Sequence, residues 1–96
     1  MRPSEALRAH RNDIYRVIQQ NRAHNPRIFG SILRGEDIEG SDLDLLVDPM
    51  PGATLFDMGA IQVELEETLG VPVDVLTPGD LPPKFRAQVL QEAAPL

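Results

Sequence analysis

Asp42 and Asp44 stand one residue apart in "SDLDLLVD", residues 41–48, and a third aspartate, Asp74, lies inside "VPVDVLT", residues 71–77. Both stretches are rich in Leu and Val and read as β-strands. Successive side chains in a strand alternate sides, so Asp42, Asp44, Leu46 and Asp48 share one face, and Leu43, Leu45 and Val47 take the other. Val71, Val73 and Val75 oppose Asp74 in the same way. If the two strands are neighbours, three carboxylates meet. Two unit charges ~4 Å apart repel by about 4 kcal/mol at an effective dielectric of ~20, so such a trio needs compensation. Arginine partners, protonation or divalent cations can supply it. Most arginines lie well upstream and only Arg34 is close in sequence, so a metal is the favoured answer. All-oxygen ligands select a hard cation such as Mg²⁺, whose remaining positions are commonly filled by water and substrate phosphates.

Gly30-Ser31, separated from Asp42 by residues 32–41, adds the other half of a phosphoryl-transfer site. Glycine allows close backbone approach, and amides and a hydroxyl at the start of a helical turn can bind terminal phosphates. Two metals about 3.5–4 Å apart would activate the attacking oxygen and stabilise the leaving pyrophosphate. In that scheme Asp42 and Asp44 bind both ions, while Asp74 holds one and helps accept the proton of the attacking hydroxyl.

The elements that must position these groups can be read from spacing. Ser4 can cap a first helix, with Glu5 in its first turn, an apolar stripe of Leu7, Ile14, Val17 and Ile18, and a stop at Asn25-Pro26. "RIFGS", residues 27–31, reads as a strand ending at Gly30, "ILRG" as one helical turn, and "EDIEGS" as a polar loop. After the Asp42–Asp48 strand, Pro49, Pro51 and Gly52 break the chain. Thr54 and Asp57 form a short-armed capping box for a helix carrying Leu55, Met58, Ile61, Leu65 and Leu69, closed by a left-handed cap at Gly70. Strand, helix, strand implies a right-handed crossover and a parallel pair. Pro82-Pro83 can open a last helix with Phe85, Val89 and Leu90 on its buried side.

At 96 residues the chain is expected to form one domain, residues 1–96. It has no cysteine, so disulfides and thiolate metal sites are excluded. No run approaches the roughly 20 apolar residues of a membrane helix, and no apolar signal core opens the chain, which sets cytoplasmic location and no membrane partner as the expectation. The net charge of −6 argues against direct nucleic-acid binding. Charge is uneven: Arg2, Arg8, Arg11, Arg16, Arg22, Arg27 and Arg34 crowd the first 34 residues. A solvated helix face accounts for most of them.

Taken together, "GS", ten residues, "DLD" and the later acid in "VDVLTP" resemble the minimal nucleotidyltransferase family of the DNA polymerase beta-like superfamily. "RIFGSILRGE", "SDLDLLVD", "LGVPVDVLTP" and "QEAAPL" carry the likeness in order over nearly the whole chain, with Leu33 where relatives often have alanine. The resemblance implies an α+β nucleotidyltransferase fold: a small mixed sheet of about three strands, helices on one face, in the order α-β-α-β-α-β-α. It implies ATP as substrate, Mg²⁺ as cofactor, Gly30 and Ser31 on the nucleotide phosphates, and Asp42, Asp44 and Asp74 as catalytic metal ligands. Arg34 is left between a phosphate contact and a pair with Glu36. Stand-alone members commonly act as antitoxins of HEPN ribonuclease toxins, transferring AMP from ATP to a toxin tyrosine. Two other readings stay open: an antitoxin that masks its toxin by binding alone, and transfer to a small-molecule hydroxyl.

The other polar residues receive plainer expectations. Glu36, Asp37 and Glu39 read as solvated loop acids, and Asp48 as a strand end rather than a metal ligand. His10 and His24 read as surface histidines. Tyr15 is part of the first helix, Met50, Phe56 and Met58 are core or loop packing, and the C-terminal apolar residues including Leu96 are exposed contacts.

Overall fold

In the computed structural model, which describes all 96 residues, the apolar stripe at the N-terminus makes two helices, α1 (Pro3–Ala9) and α2 (Arg11–Gln20). They are joined at His10, which ends one and begins the other. Leu7, Ile14, Val17 and Ile18 are all buried, as their spacing predicts. Ser4 is not the cap. Arg2 holds that position, Pro3 takes the first helical place, and the Glu5 carboxylate accepts the Arg2 backbone N–H at 2.9 Å. The helix also stops earlier than Asn25-Pro26. Asn21 caps α2, its side-chain amide donating to the Val17 carbonyl at 2.8 Å, and Arg22 at φ +58 turns the chain.

Strand β1 spans Ala23–Phe29 and so begins before the predicted Arg27. Pro26 lies inside it, at a register shift between His24 and Arg27 where no ladder N–H is demanded of it. β2 (Leu43–Pro49), helix α3 (Leu55–Leu69) and β3 (Val73–Leu76) form the expected crossover, with β2 and β3 parallel. A 3₁₀ turn (Pro78–Asp80), helix α4 (Pro83–Glu92) and a two-residue strand β4 (Ala94–Pro95) complete the chain. The sheet order is β3-β2-β1-β4, one strand more than expected because β4 pairs antiparallel with β1.

That pairing ties down the C-terminus. Leu96 donates its N–H to the Pro26 carbonyl at 3.2 Å, accepts the Tyr15 hydroxyl at 2.7 Å and packs against the core, so it is not a free contact residue. The core fills one side of the sheet: Leu43, Leu45 and Val47 meet residues of α1 and α2 and the Ile61, Leu65 and Leu69 face of α3. Thr54 and Asp57 cap α3 reciprocally, and Gly70 closes it at φ +70.

Two packing expectations fail, and one side of the sheet holds more than was read. Leu55 and Phe56 are 85% and 90% exposed, because the inward stripe of α3 runs through Met58, Ile61, Leu65 and Leu69, and Phe56 projects from the opposite side of a 3.6-residue turn. α4 buries none of its residues, and Phe85 is half exposed; the helix is held at its start by Arg86, which donates to the Gly79 and Leu81 carbonyls. Leu46, on the aspartate side of β2, is fully buried, as is most of Leu81, and both lie outside the main core cluster.

Candidate active site

The antiparallel register sets Phe29 opposite Asp44, so the chain leaves β1 at Gly30 directly against that aspartate. Gly30 has φ +77, and a Cβ placed on it would run into Asp44 Oδ2. Both facts demand glycine, one through the left-handed backbone and one through the missing side chain. The following segment is wound rather than extended. Arg34 N–H reaches the Gly30 carbonyl at 3.4 Å, Gly35 N–H the Ile32 carbonyl at 3.1 Å and Glu36 N–H the Ser31 carbonyl at 2.9 Å, giving consecutive turns where one helical turn was expected.

The loop that leads to the aspartates is fastened by an acid that reads from the sequence as solvated. Asp37 is buried, not solvated: its carboxylate accepts the Ser4 backbone N–H at 2.9 Å. Hydrogen bonds from the Ser4 backbone and side chain hold it below the usual aspartate range. The partner lies 33 positions away, and nothing local in "EDIEGS" marks one acid as buried. Ile38 N–H donates to Ser41 Oγ at 2.9 Å, which fixes the last turn before Asp42. Glu39 pairs with the N-terminal ammonium at 2.8 Å, and Glu36 is exposed.

Asp42 is exposed and stands just before β2; Asp44 is half-buried inside it; Asp74 is exposed on β3. The parallel register pairs Asp44 with Asp74 directly, while Leu43 pairs with Val73 and both of those point into the core. The Asp44 carboxyl is pushed above its ordinary value by burial, then by the like charges of Asp74 and Asp42, with Arg34 opposing. Arg34 is itself engaged, donating from Nε to Glu36 Oε2 at 3.1 Å on the exposed side of the loop. The site is therefore short of positive charge. Its donors are all carboxylate oxygens, which suit a hard divalent cation, and in that respect the residues fit Mg²⁺. The three side chains are not drawn into a tight coordination cluster, as expected of like charges that repel one another.

The remaining polar residues do other work. Asp48, on the same side of β2, accepts Arg27 Nη2 at 2.6 Å and Asn25 Nδ2 at 2.9 Å. Burial pushes its carboxyl up, but those hydrogen bonds and the Arg27 charge hold it below the ordinary value. His10 contacts Asp13 at 3.0 Å, and His24 is exposed. Two concavities exist and neither contains Asp42, Asp44 or Asp74. The larger, about 350 Å³, lies at the far end of β2 and β3, where Pro49, Val75 and Thr77 face Leu55 and Met58. The aspartates occupy an open part of the surface.

Residues 24–96 match the family described as the nucleotidyltransferase domain. A Methanocaldococcus jannaschii protein, provisionally named protein adenylyltransferase MJ0435, is 46% identical over 66 residues, which cover 69% of this chain and 71% of that protein. A solved structure described provisionally as a minimal nucleotidyltransferase superposes with a TM-score of 0.86 at 45% identity, over 97% of this chain and 95% of the other. A toxin–antitoxin structure with AMP-PNP superposes at a TM-score of 0.73 and 20% identity, over 88% of this chain and 69% of that chain; the likeness is one of fold.

Proposed function

The chain belongs to the nucleotidyltransferase domain family, in its minimal form, and from that premise we propose that it transfers AMP from ATP to a tyrosine of a cognate HEPN ribonuclease toxin and so neutralises it. The observation that carries the reading is the register of the two parallel strands: Asp44 and Asp74 stand side by side, with Gly30 against Asp44 and the nearby Arg34 paired with Glu36 instead of with either of them. Asp42, Asp44 and Asp74 would hold Mg²⁺. When bound, magnesium supplies charge neutralisation of the transferring phosphoryl group and of the leaving pyrophosphate.

The chain's own groups do the rest. The Gly30-Ser31 turn offers backbone N–H groups and a hydroxyl to the terminal phosphates, and Asp37 and Ser41 fasten the loop that runs from that turn to Asp42. Asp74, the more exposed member of the strand pair, would accept a proton from an incoming hydroxyl. Arg34 remains a phosphate ligand only if it leaves Glu36. The open position of the aspartates favours an acceptor carried on another protein over a small molecule enclosed in a cleft.

Mixing the protein with its HEPN partner, ATP and Mg²⁺ should raise the partner's mass by whole AMP units. An unmodified partner under these conditions would overturn the reading. Asp42→Ala with Asp44→Ala separates transfer from masking: lost neutralisation with an intact complex marks transfer, and retained neutralisation marks masking.

A further inference from the structure

Between the phosphate turn and Asp42 the chain makes an open arch. Residues 34–40 are all exposed except Asp37, which at 6% exposure is the only charged residue buried in the protein. The hydrogen bonds divide the arch at that residue. Residues 30–36 form a unit closed on itself, through Arg34 N–H to the Gly30 carbonyl and Glu36 N–H to the Ser31 carbonyl, and Ile32 seats it against the core. Ile38 and Ser41 close a second unit, with Ser41 N–H on the Ile38 carbonyl at 3.0 Å and Ile38 N–H on Ser41 Oγ at 2.9 Å. No hydrogen bond joins the two units. Asp37 is the joint between them, and its carboxylate is pinned to the Ser4 N–H at 2.9 Å, a donor at the start of α1 that has no acceptor within the helix. The one other hydrogen bond that leaves residues 30–41, from the Met1 ammonium to Glu39, lies in solvent, where ion pairs contribute little.

We propose that Asp37 is a positioning residue for nucleotide binding: held on Ser4, it fixes the joint that sets the phosphate-binding turn against Asp42. The inference rests on the reading above, in which Gly30 and Ser31 meet the phosphates and Asp42 meets the metal. The sheet cannot set that relation alone. The β1–β2 ladder ends at Phe29 and Asp44, so Ser31 and Asp42 both stand beyond its last rung, and the arch between them relates one to the other. Gly35 and Gly40, left-handed at φ +69 and +85 with open space around them, bracket the joint and give it no further support. A buried apolar residue would hold the arch down at a lower desolvation cost, but it would let the joint slide. A hydrogen bond specifies both distance and direction. The Asp37 carboxylate bonds to Ser4 and to none of the site residues, so it acts only through the two units it joins.

The test measures binding of ATP with Mg²⁺ to the full chain alone by titration calorimetry, with folding followed by thermal melts. Asp37→Ala frees the joint and should weaken nucleotide binding about tenfold or more in protein still folded at the assay temperature. Asp37→Asn keeps an acceptor oxygen at the same reach and should stay within about threefold of the parent. Asp37→Glu keeps the charge but lengthens the arm by a methylene, which displaces the joint, and should bind about threefold or more weaker than Asp37→Asn. A merely structural role would lower the melting temperatures and leave the affinity of the folded protein unchanged. Parental affinity in folded Asp37→Ala, or Asp37→Glu binding as tightly as Asp37→Asn, would overturn the proposal while leaving transfer standing. Should Asp37→Ala fail to fold, the order of the other two variants decides. A parent chain that does not bind ATP with Mg²⁺ would overturn both this inference and the function on which it rests.

Discussion

Asp44 and Asp48 leave β2 from the same side, four residues apart, and the fold treats them in opposite ways. Asp48 is given Arg27 at 2.6 Å and Asn25 at 2.9 Å, and its carboxyl is held below the ordinary range. Asp44 is given burial, two aspartate neighbours and a glycine pressed against it, and its carboxyl is pushed up. One end of the strand is neutralised from within the chain. The other is left for something outside to neutralise, and an uncompensated, specifically placed charge is what a functional carboxylate looks like beside a structural one. Arg27 and Arg34 make the same contrast: the first is largely buried on Asp48, the second stands in solvent on Glu36.

The largest expected effect breaks the functional end. Asp44→Asn should lower AMP transfer by roughly 10³-fold, equivalent to about 4 kcal/mol of transition-state stabilisation, in a single-turnover assay. The same change removes a desolvated charge between two like charges, so the melting temperature at neutral pH should rise. A variant that is both inactive and less stable would mean that Asp44 has a structural role after all. Gly30→Ala should follow in size. It strains a left-handed backbone by about 1–2 kcal/mol and displaces the Asp44 carboxylate, with a fall in transfer of about 10²-fold. Equal transfer by the parent and Gly30→Ala proteins would separate the turn from the chemistry.

The structural end should respond in stability alone. Asp48→Ala strands Arg27, whose side chain is only 14% exposed, and should cost about 2 kcal/mol in chemical denaturation, the scale of a lost charge-assisted hydrogen bond. Transfer at saturating substrate should change by less than about twofold, because Asp48 lies away from the Asp44 and Asp74 pair.

The sequence showed the functional end more clearly than its surroundings. Period-two alternation separates Asp44 from Leu43 and Leu45, and the crossover rule predicts parallel neighbours with Asp74 on the same face; the pairing of Asp44 with Asp74 itself is seen only in the structure. The caps of α3 were equally legible, since Thr54, Asp57 and Gly70 act within their own turns. What could not be read depends on distant partners. Asp37 resembles Glu36 and Glu39 until Ser4 arrives from 33 positions away, and His10 breaks a helix whose apolar spacing continues across it. Phe56 was expected in packing because it is apolar, but a helix has more sides than this fold covers. The two-residue β4 carries no periodic signal; it exists because β1 has a free edge beside Tyr15 and Pro26.

The smallest effect is a difference in pH slope, and it sets the two aspartates against each other. A carboxyl with a lowered folded value binds fewer protons in the native state, so its stabilisation is present above about pH 4 and is lost as pH falls through the folded value. Asp48 acts in that direction, together with Glu5, Asp13 and Asp37, whose carboxyls are also held low. Asp44 has the opposite sign. Its native state binds more protons, so its contribution is complete below about pH 4 and is lost as pH rises through the raised value. Four groups share the acid-side slope, and Asp48→Ala should flatten it only in part. Asp44 is the one group pushed upward, so thermal melts above pH 4 should show a downward slope in the parent that Asp44→Asn removes. If that slope persists in the variant, the charge crowding assigned to Asp44 belongs to another group, and the contrast between the two ends of β2 loses its electrostatic basis.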